Sequence, residues 1–126
     1  DGRKNKQKIV IDKFVFEVEV ADTAMKRTQG LSDRDKLGEQ EGMLFIFDKP
    51  WTYGFWMYGM NFPLDIIWIK DKKIVWFEED VPPPSHAFDL KTYSPPEAID
   101  KVLELNAGSV RKFEIQVGYE IISELD

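Results

Sequence analysis

LDIIWIKDKKIVWFEE, residues 64–79, reads as two strands and the turn that joins them. Residues 64–69 form an apolar run of strand length, interrupted once by Asp65. Lys70-Asp71-Lys72-Lys73 has the polar composition of a hairpin turn, and residues 74–79 return in a second extended run. Upstream, GMLFIF (42–47) is apolar throughout, the mark of a strand covered on both faces. DKPWTYG is a turn region, FWM (55–57) resumes an extended run, and YGMNFP breaks it. In KIVIDKFVFEVEV (8–20), Phe14, Phe16, Val18 and Val20 alternate with Val15, Glu17 and Glu19, as in a half-buried strand. Asp12-Lys13 marks a turn or bulge before it. ADTAMKRTQG (21–30) predicts a short helix, capped by Asp22 or Thr23 and closed by Gly30, with a polar loop at 32–41.

Downstream, VPPPSHAFDLKTYSPP (81–96) holds five of the seven prolines and cannot pair as a central strand. It is expected as a long ordered loop or edge segment. EAIDKVLEL (97–105) suits a helix through Ala98, Val102 and Leu105, and also a strand through Val102-Leu103-Glu104-Leu105. A short strand at 101–105 is favoured, with the helix left open. Ser109 is expected to cap a short helix, VRKFE, and YEIISE (119–124) to form the last strand. These pieces predict a mainly β fold, a compact barrel or sandwich of six or seven short strands with two or three short helices. Residues 1–7 are expected as a flexible basic arm and 8–126 as a single β-rich domain.

Composition narrows the function classes. A chain of 126 residues that is 43% apolar and 32% charged has the profile of a globular domain. A net charge of −6 argues against a general nucleic-acid binder. The absence of cysteine removes thiol catalysis, thiolate metal sites and disulfides. The opening DGRKNKQK reads as a solvated tail or the remnant of a longer precursor, and its basic residues would suit a membrane surface if an anchor preceded it.

Thr23…Arg27…Gly30-Leu31, Gly42-Met43-Leu44-Phe45…Phe47, Phe55-Trp56-Met57, Pro63-Leu64-Asp65-Ile66, Tyr93-Ser94-Pro95, Val102-Leu103-Glu104-Leu105…Ala107-Gly108 and Gly118…Ile121 occur in that order. This succession resembles the uncharacterised domain family numbered 192, over about residues 8 to 124. The resemblance implies a small β-rich bacterial or archaeal domain, often placed after a signal peptide or membrane anchor and so outside the cytoplasm. It implies no activity. Two places depart from the family's pattern. Tyr58-Gly59-Met60 stands where Lys-Asn-Thr or similar is usual, and Gly118-Tyr119 stands where Gly-Asp is usual.

Asp65 is a carboxylate in a run built for burial, and an ionised group there costs several kcal/mol unless a cation meets it. Arg27, on the first helix, is the expected partner, as a structural ion pair or as the polar floor of a pocket. Six aromatics fall between Trp51 and Phe62. Alternation puts Phe55 and Met57 on one side and Trp56 on the other, leaving Trp51, Trp56 and Tyr58 as candidates for an exposed stacking surface. Tyr93 joins them as a candidate ligand contact from the proline-rich loop, which is expected to close over the pocket. Met43, Met57 and Met60 offer thioethers to Cu(I) but read more simply as core filler. His86, with Ser85 and Asp89, lacks the spacing of a catalytic triad, and no zinc or phosphate motif is present. The expectation is a monomeric extracytoplasmic binding domain without catalysis or cofactor, taking a glycan, a peptide, another small molecule or a protein. The alternatives are an interaction module with an exposed aromatic patch and a hydrolase of unknown type.

Overall fold

The computed structural model describes residues 6–123. Two strands, β1 (Lys6–Ile11) and β2 (Phe14–Ala21), form a hairpin across Asp12-Lys13. Asp12 adopts φ 56 there, a conformation that Asp accepts more readily than most residues. Helix α1 (Ala24–Gln29) starts where the Thr23 hydroxyl accepts from the Lys26 N–H at 3.2 Å, and it ends at Gly30. Then come β3 (Glu41–Trp51), β4 (Phe55–Trp56), β5 (Leu64–Lys70) and β6 (Lys73–Val81). The chain closes with β7 (Thr92–Tyr93), β8 (Ile99–Asn106), helix α2 (Ser109–Lys112) and β9 (Ile121–Ser123).

Seven strands make one sheet in the order β6-β5-β8-β3-β2-β1-β9, and β4 pairs with β7 in a separate ribbon. All neighbours are antiparallel except β2 and β3, which the α1 connection joins in parallel. The sheet curls until its two edges meet at one end. Lys73 bridges to Glu120, and the Ile74 N–H donates to the Tyr119 carbonyl at 2.9 Å. The result is a half-barrel, mainly β as the sequence predicts.

The curl gives the sheet two cores. Inside lie Ile9, Phe16, Leu44, Ile67, Leu103 and Phe113. On the outer face of β3, β8 and β5 lie Met43, Phe45, Ile66, Trp68 and Val102, covered by Leu31, Met57 and Met60. Strands buried on both faces have no polar alternation, which is why 42–47 and 64–69 read as nearly continuous apolar runs. Each such side chain, once buried, contributes about 1.5–3 kcal/mol.

Several expectations need correcting. The strand favoured at 101–105 is present and is longer, running from 99 to 106, because the segment fills the gap between β3 and β5. The strand begun at 41 continues through Pro50 to Trp51, past a register shift against β8. Ser109 is the first residue of α2 and makes no cap; Gly108 stands before it without a side chain to offer. Lys6 and Gln7, expected in the arm, pair with Glu19 and Val18, and the rest of the expected arm, residues 1–5, lies outside the described residues.

Candidate functional site

Asp65 is fully buried, on the inner side of β5. Arg27 does not meet it. The carboxylate instead accepts three backbone N–H groups: Asp80 at 2.9 Å, Gly108 at 3.2 Å and Val110 at 2.8 Å. Asp65 thus supplies from a distance the cap that α2 lacks, and it fastens the irregular end of β6. The expected Arg27–Asp65 pair fails because the two residues lie on opposite sides of the sheet. Backbone donors can satisfy a buried carboxylate as well as a guanidinium can.

Arg27 belongs to the outer face. Its guanidinium donates to the Ile46 carbonyl at 2.8 Å and lies 5.1 Å from the centre of the Phe47 ring. No carboxylate among the described residues pairs with it, so most of its five donors stay open.

Beside Arg27 is a cavity of about 440 Å³, within the size range of small-ligand pockets. One wall is α1 and residues 30–32; the other is the segment from Tyr53 to Met60. Phe45 and Phe47 form the floor, with Glu104. The two walls are pinned together where the Asp33 N–H donates to the Gly59 carbonyl at 2.8 Å. Gly59 has φ 77, and a Cβ there would sit 2.9 Å from the Ser32 Cβ, so glycine lets the walls meet. Phe55 packs edge-on against Phe45 at 5.0 Å and Trp68 at 5.7 Å, anchoring the second wall to the sheet. Trp56 and Tyr58 stand at the mouth with ring centres 5.3 Å apart, about half exposed each at 51% and 61%.

Glu104 is the residue the site is built around. It is 5% exposed, yet its side chain opens into the cavity. No donor or cation among the described residues meets its carboxyl. On its face of the sheet the row across the strands runs Glu19, Met43, Glu104, Ile66 and Glu78. Arg34 is taken by Glu19, two strands away, in a two-pronged ion pair. Burial therefore acts alone on Glu104 and pushes its carboxyl up from an ordinary 4.5 to about 8, which leaves it protonated at neutral pH. Diagonally across from it, the Trp68 indole N–H is buried without a partner among the described residues.

Of the six expected contact residues, Arg27, Trp56 and Tyr58 line this cavity, while Trp51, Asp65 and Tyr93 do not. Trp51 is 67% exposed at the far end of β3. Tyr93 pairs with Phe55 behind the wall, under the Lys91 ammonium. The loop at 81–96 contributes no lining residue; the cover comes from α1 and residues 30–32 instead. In that loop the Ser85 hydroxyl and N–H both donate to Asp89, a local turn with no triad geometry. Glu104 was open to the reasoning that singled out Asp65, since VLEL in strand form puts it on the face of Val102. What covers that face was not legible in the segment itself.

The family model for DUF192, described as "Uncharacterized ACR", matches residues 7–123. The chain belongs to the DUF192 family. Among solved structures, this DUF192 domain is similar to a protein of Sinorhizobium meliloti 1021 described as a "putative transcription regulator". The TM-score is 0.89 at 28% identity, covering 98% of this chain and 97% of that one. It is also similar to a protein of unknown function from Novosphingobium aromaticivorans DSM 12444. There the TM-score is 0.83 at 28% identity, covering 91% and 83% of the two chains. No curated protein matches this DUF192 chain.

Proposed function

We propose that this domain binds a small ligand in the aromatic-walled cavity, with Trp56 and Tyr58 at its mouth and Glu104 and Arg27 as its polar contacts. One observation carries the reading: a buried carboxyl left unpartnered at the floor of an open cavity. Buried polar groups in folded proteins are nearly always hydrogen-bonded, and an orphan that opens into a cavity suits a ligand that completes it. Glu104 takes the place that Asp65 held in the sequence reading. Sugar rings and short peptides both match the rings at the mouth. A setting outside the cytoplasm belongs to the same proposal and rests on the family resemblance. The regulator description of the Sinorhizobium protein gives less support, because a net charge of −6 is ill suited to a nucleic-acid surface.

Two-dimensional NMR of the indole N–H signals tests the proposal against a panel of glycans and short peptides. The Trp56 signal is expected to shift with at least one of them, and Glu104→Leu to abolish the shift. Four silent indoles across the whole panel would refute it.

A further inference from the structure

The two polar ends of the cavity specify its ligand more closely. Arg27 lies over Phe47, and Glu104 stands beside Met43 in the β3–β8 register. Met43 and Phe47 are four residues apart on β3, or about 13 Å at strand rise. The strand positions under the cationic end and the acidic end are thus about 13 Å apart, with Phe45 between them and the Phe55 ring against Phe45. The register neighbours of Glu104 on β3 and β5, Met43 and Ile66, and the cover residue Met60 that lines the same cavity are not titratable. The nearest charged residues in its row are Glu78 and the Glu19–Arg34 pair. A carboxyl so placed has no cation to gain from the protein. An ammonium from outside would give it one, and the ring faces of the cavity wall would add cation–π attraction.

Resting on the binding reading above, we propose that the cavity takes a short extended peptide with free termini, its ammonium on Glu104 and its terminal carboxylate on Arg27. Extended chains span at most about 3.3–3.6 Å per residue, so three to four residues fit the distance between the two ends. An apolar central side chain lies against Phe45, Phe55 and Trp56. When the ammonium docks, Glu104 gives up its proton to solvent, and the ion pair forms between the resulting carboxylate and the charged terminus. The C-terminal carboxylate can take two parallel N–H donors from Arg27 while the third stays on the Ile46 carbonyl.

Calorimetry with Ala-Phe-Ala, its N-acetyl form and its C-terminal amide tests this on the intact chain at pH 7. The free tripeptide should bind, and each blocked form should bind at least about tenfold more weakly, the loss of one charge-assisted contact. Glu104→Gln should bind the free and acetylated forms alike. Arg27→Gln should bind the acid and amide alike. Titrations in two buffers of different ionisation enthalpy should report up to one proton released per peptide bound, a release absent in Glu104→Gln. Equal binding of free and blocked peptides would overturn the peptide assignment. So would sugars that shift the Trp56 indole while peptides do not, although the cavity would then remain a binding site. If no compound shifts that indole, both readings fall.

Discussion

Asp65 and Glu104 are diagonal neighbours on adjacent strands, each one residue from the pair Ile66–Glu104 or Asp65–Leu105, and they face opposite sides of the same sheet. Both are buried. Asp65 accepts three backbone N–H groups, whereas Glu104 has no partner among the described residues. A single sheet therefore carries one carboxyl that holds the fold together and one that the fold leaves uncompensated. The two should respond differently to mutation.

Asp65→Asn keeps the shape but turns an amide toward donors that need an acceptor. At least one buried N–H among Asp80, Gly108 and Val110 is left unmet. A loss on the order of 3 kcal/mol is expected, from charge-assisted bonds worth about 1.5–3 kcal/mol each and only partly replaced. Urea denaturation measures it. A midpoint equal to that of the parent would show that α2 needs no cap.

Glu104→Gln should be stabilising at alkaline pH. The Glu104 pKa is higher in the folded state, at about 8, than the ordinary 4.5, so the folded state holds its proton over that range while the unfolded state has lost it. The stability contributed by the neutral form is complete below about pH 4.5 and is lost as pH rises through about 8. Gln has no proton to lose. The stability of the Gln variant relative to the parent should therefore rise by on the order of 3 kcal/mol between about pH 5.5 and 8.5. Thermal melts at the two pH values check this; parallel curves would mean the carboxyl is hydrated and ordinary.

Trp56→Ala and Tyr58→Ala remove rings that are about half exposed, and each should cost under about 1 kcal/mol of stability. Binding of whatever ligand shifts the indoles should weaken in both, by roughly tenfold or more. Trp51→Ala, outside the cavity, should leave binding unchanged. Titration of the three variants with one ligand tests the contrast.

Gly59→Ala meets the Ser32 Cβ and a strained φ together, and a destabilisation of about 1–3 kcal/mol is expected. Asn tolerates positive φ better than Ala does. Asn is also the residue the family resemblance places in this turn, so Gly59→Asn should lose less. Melting temperatures rank the three proteins; an Asn variant below Ala would refute the backbone argument.

The strands could be read from the sequence because hydrophobic runs at 42–47 and 64–69 and the alternation at 14–20 are strong local signals. The helix cap at Thr23 and both tight turns followed from local chemistry as well. What escaped was everything set by the third dimension. Nothing local in residues 64–69 says that the donors for Asp65 come from residues 80, 108 and 110. Glu104 escaped because its significance depends on what covers its face of β8, and nothing local in residues 101–105 says that the cover leaves a cavity there. Arg27 was rightly paired with the aromatics around Phe47 only once the sheet had two sides.

The two ends of the curled sheet touch only where residues 72–74 meet residues 118–121, so most of β6 runs on with its outer backbone groups unclaimed by another described strand. Such a margin invites a second molecule to add itself as the next strand. Here Glu78, Glu79 and Asp80 lie along that margin with Arg111 as the one cation among the described residues paired to Glu79 and Asp80, and two copies brought edge to edge would set a net negative charge against its like. Replacing the acidic trio with neutral residues removes the repulsion and leaves the margin open, so that variant should self-associate along this strand at pH 7, with the parent staying apart, as sedimentation of the two would show.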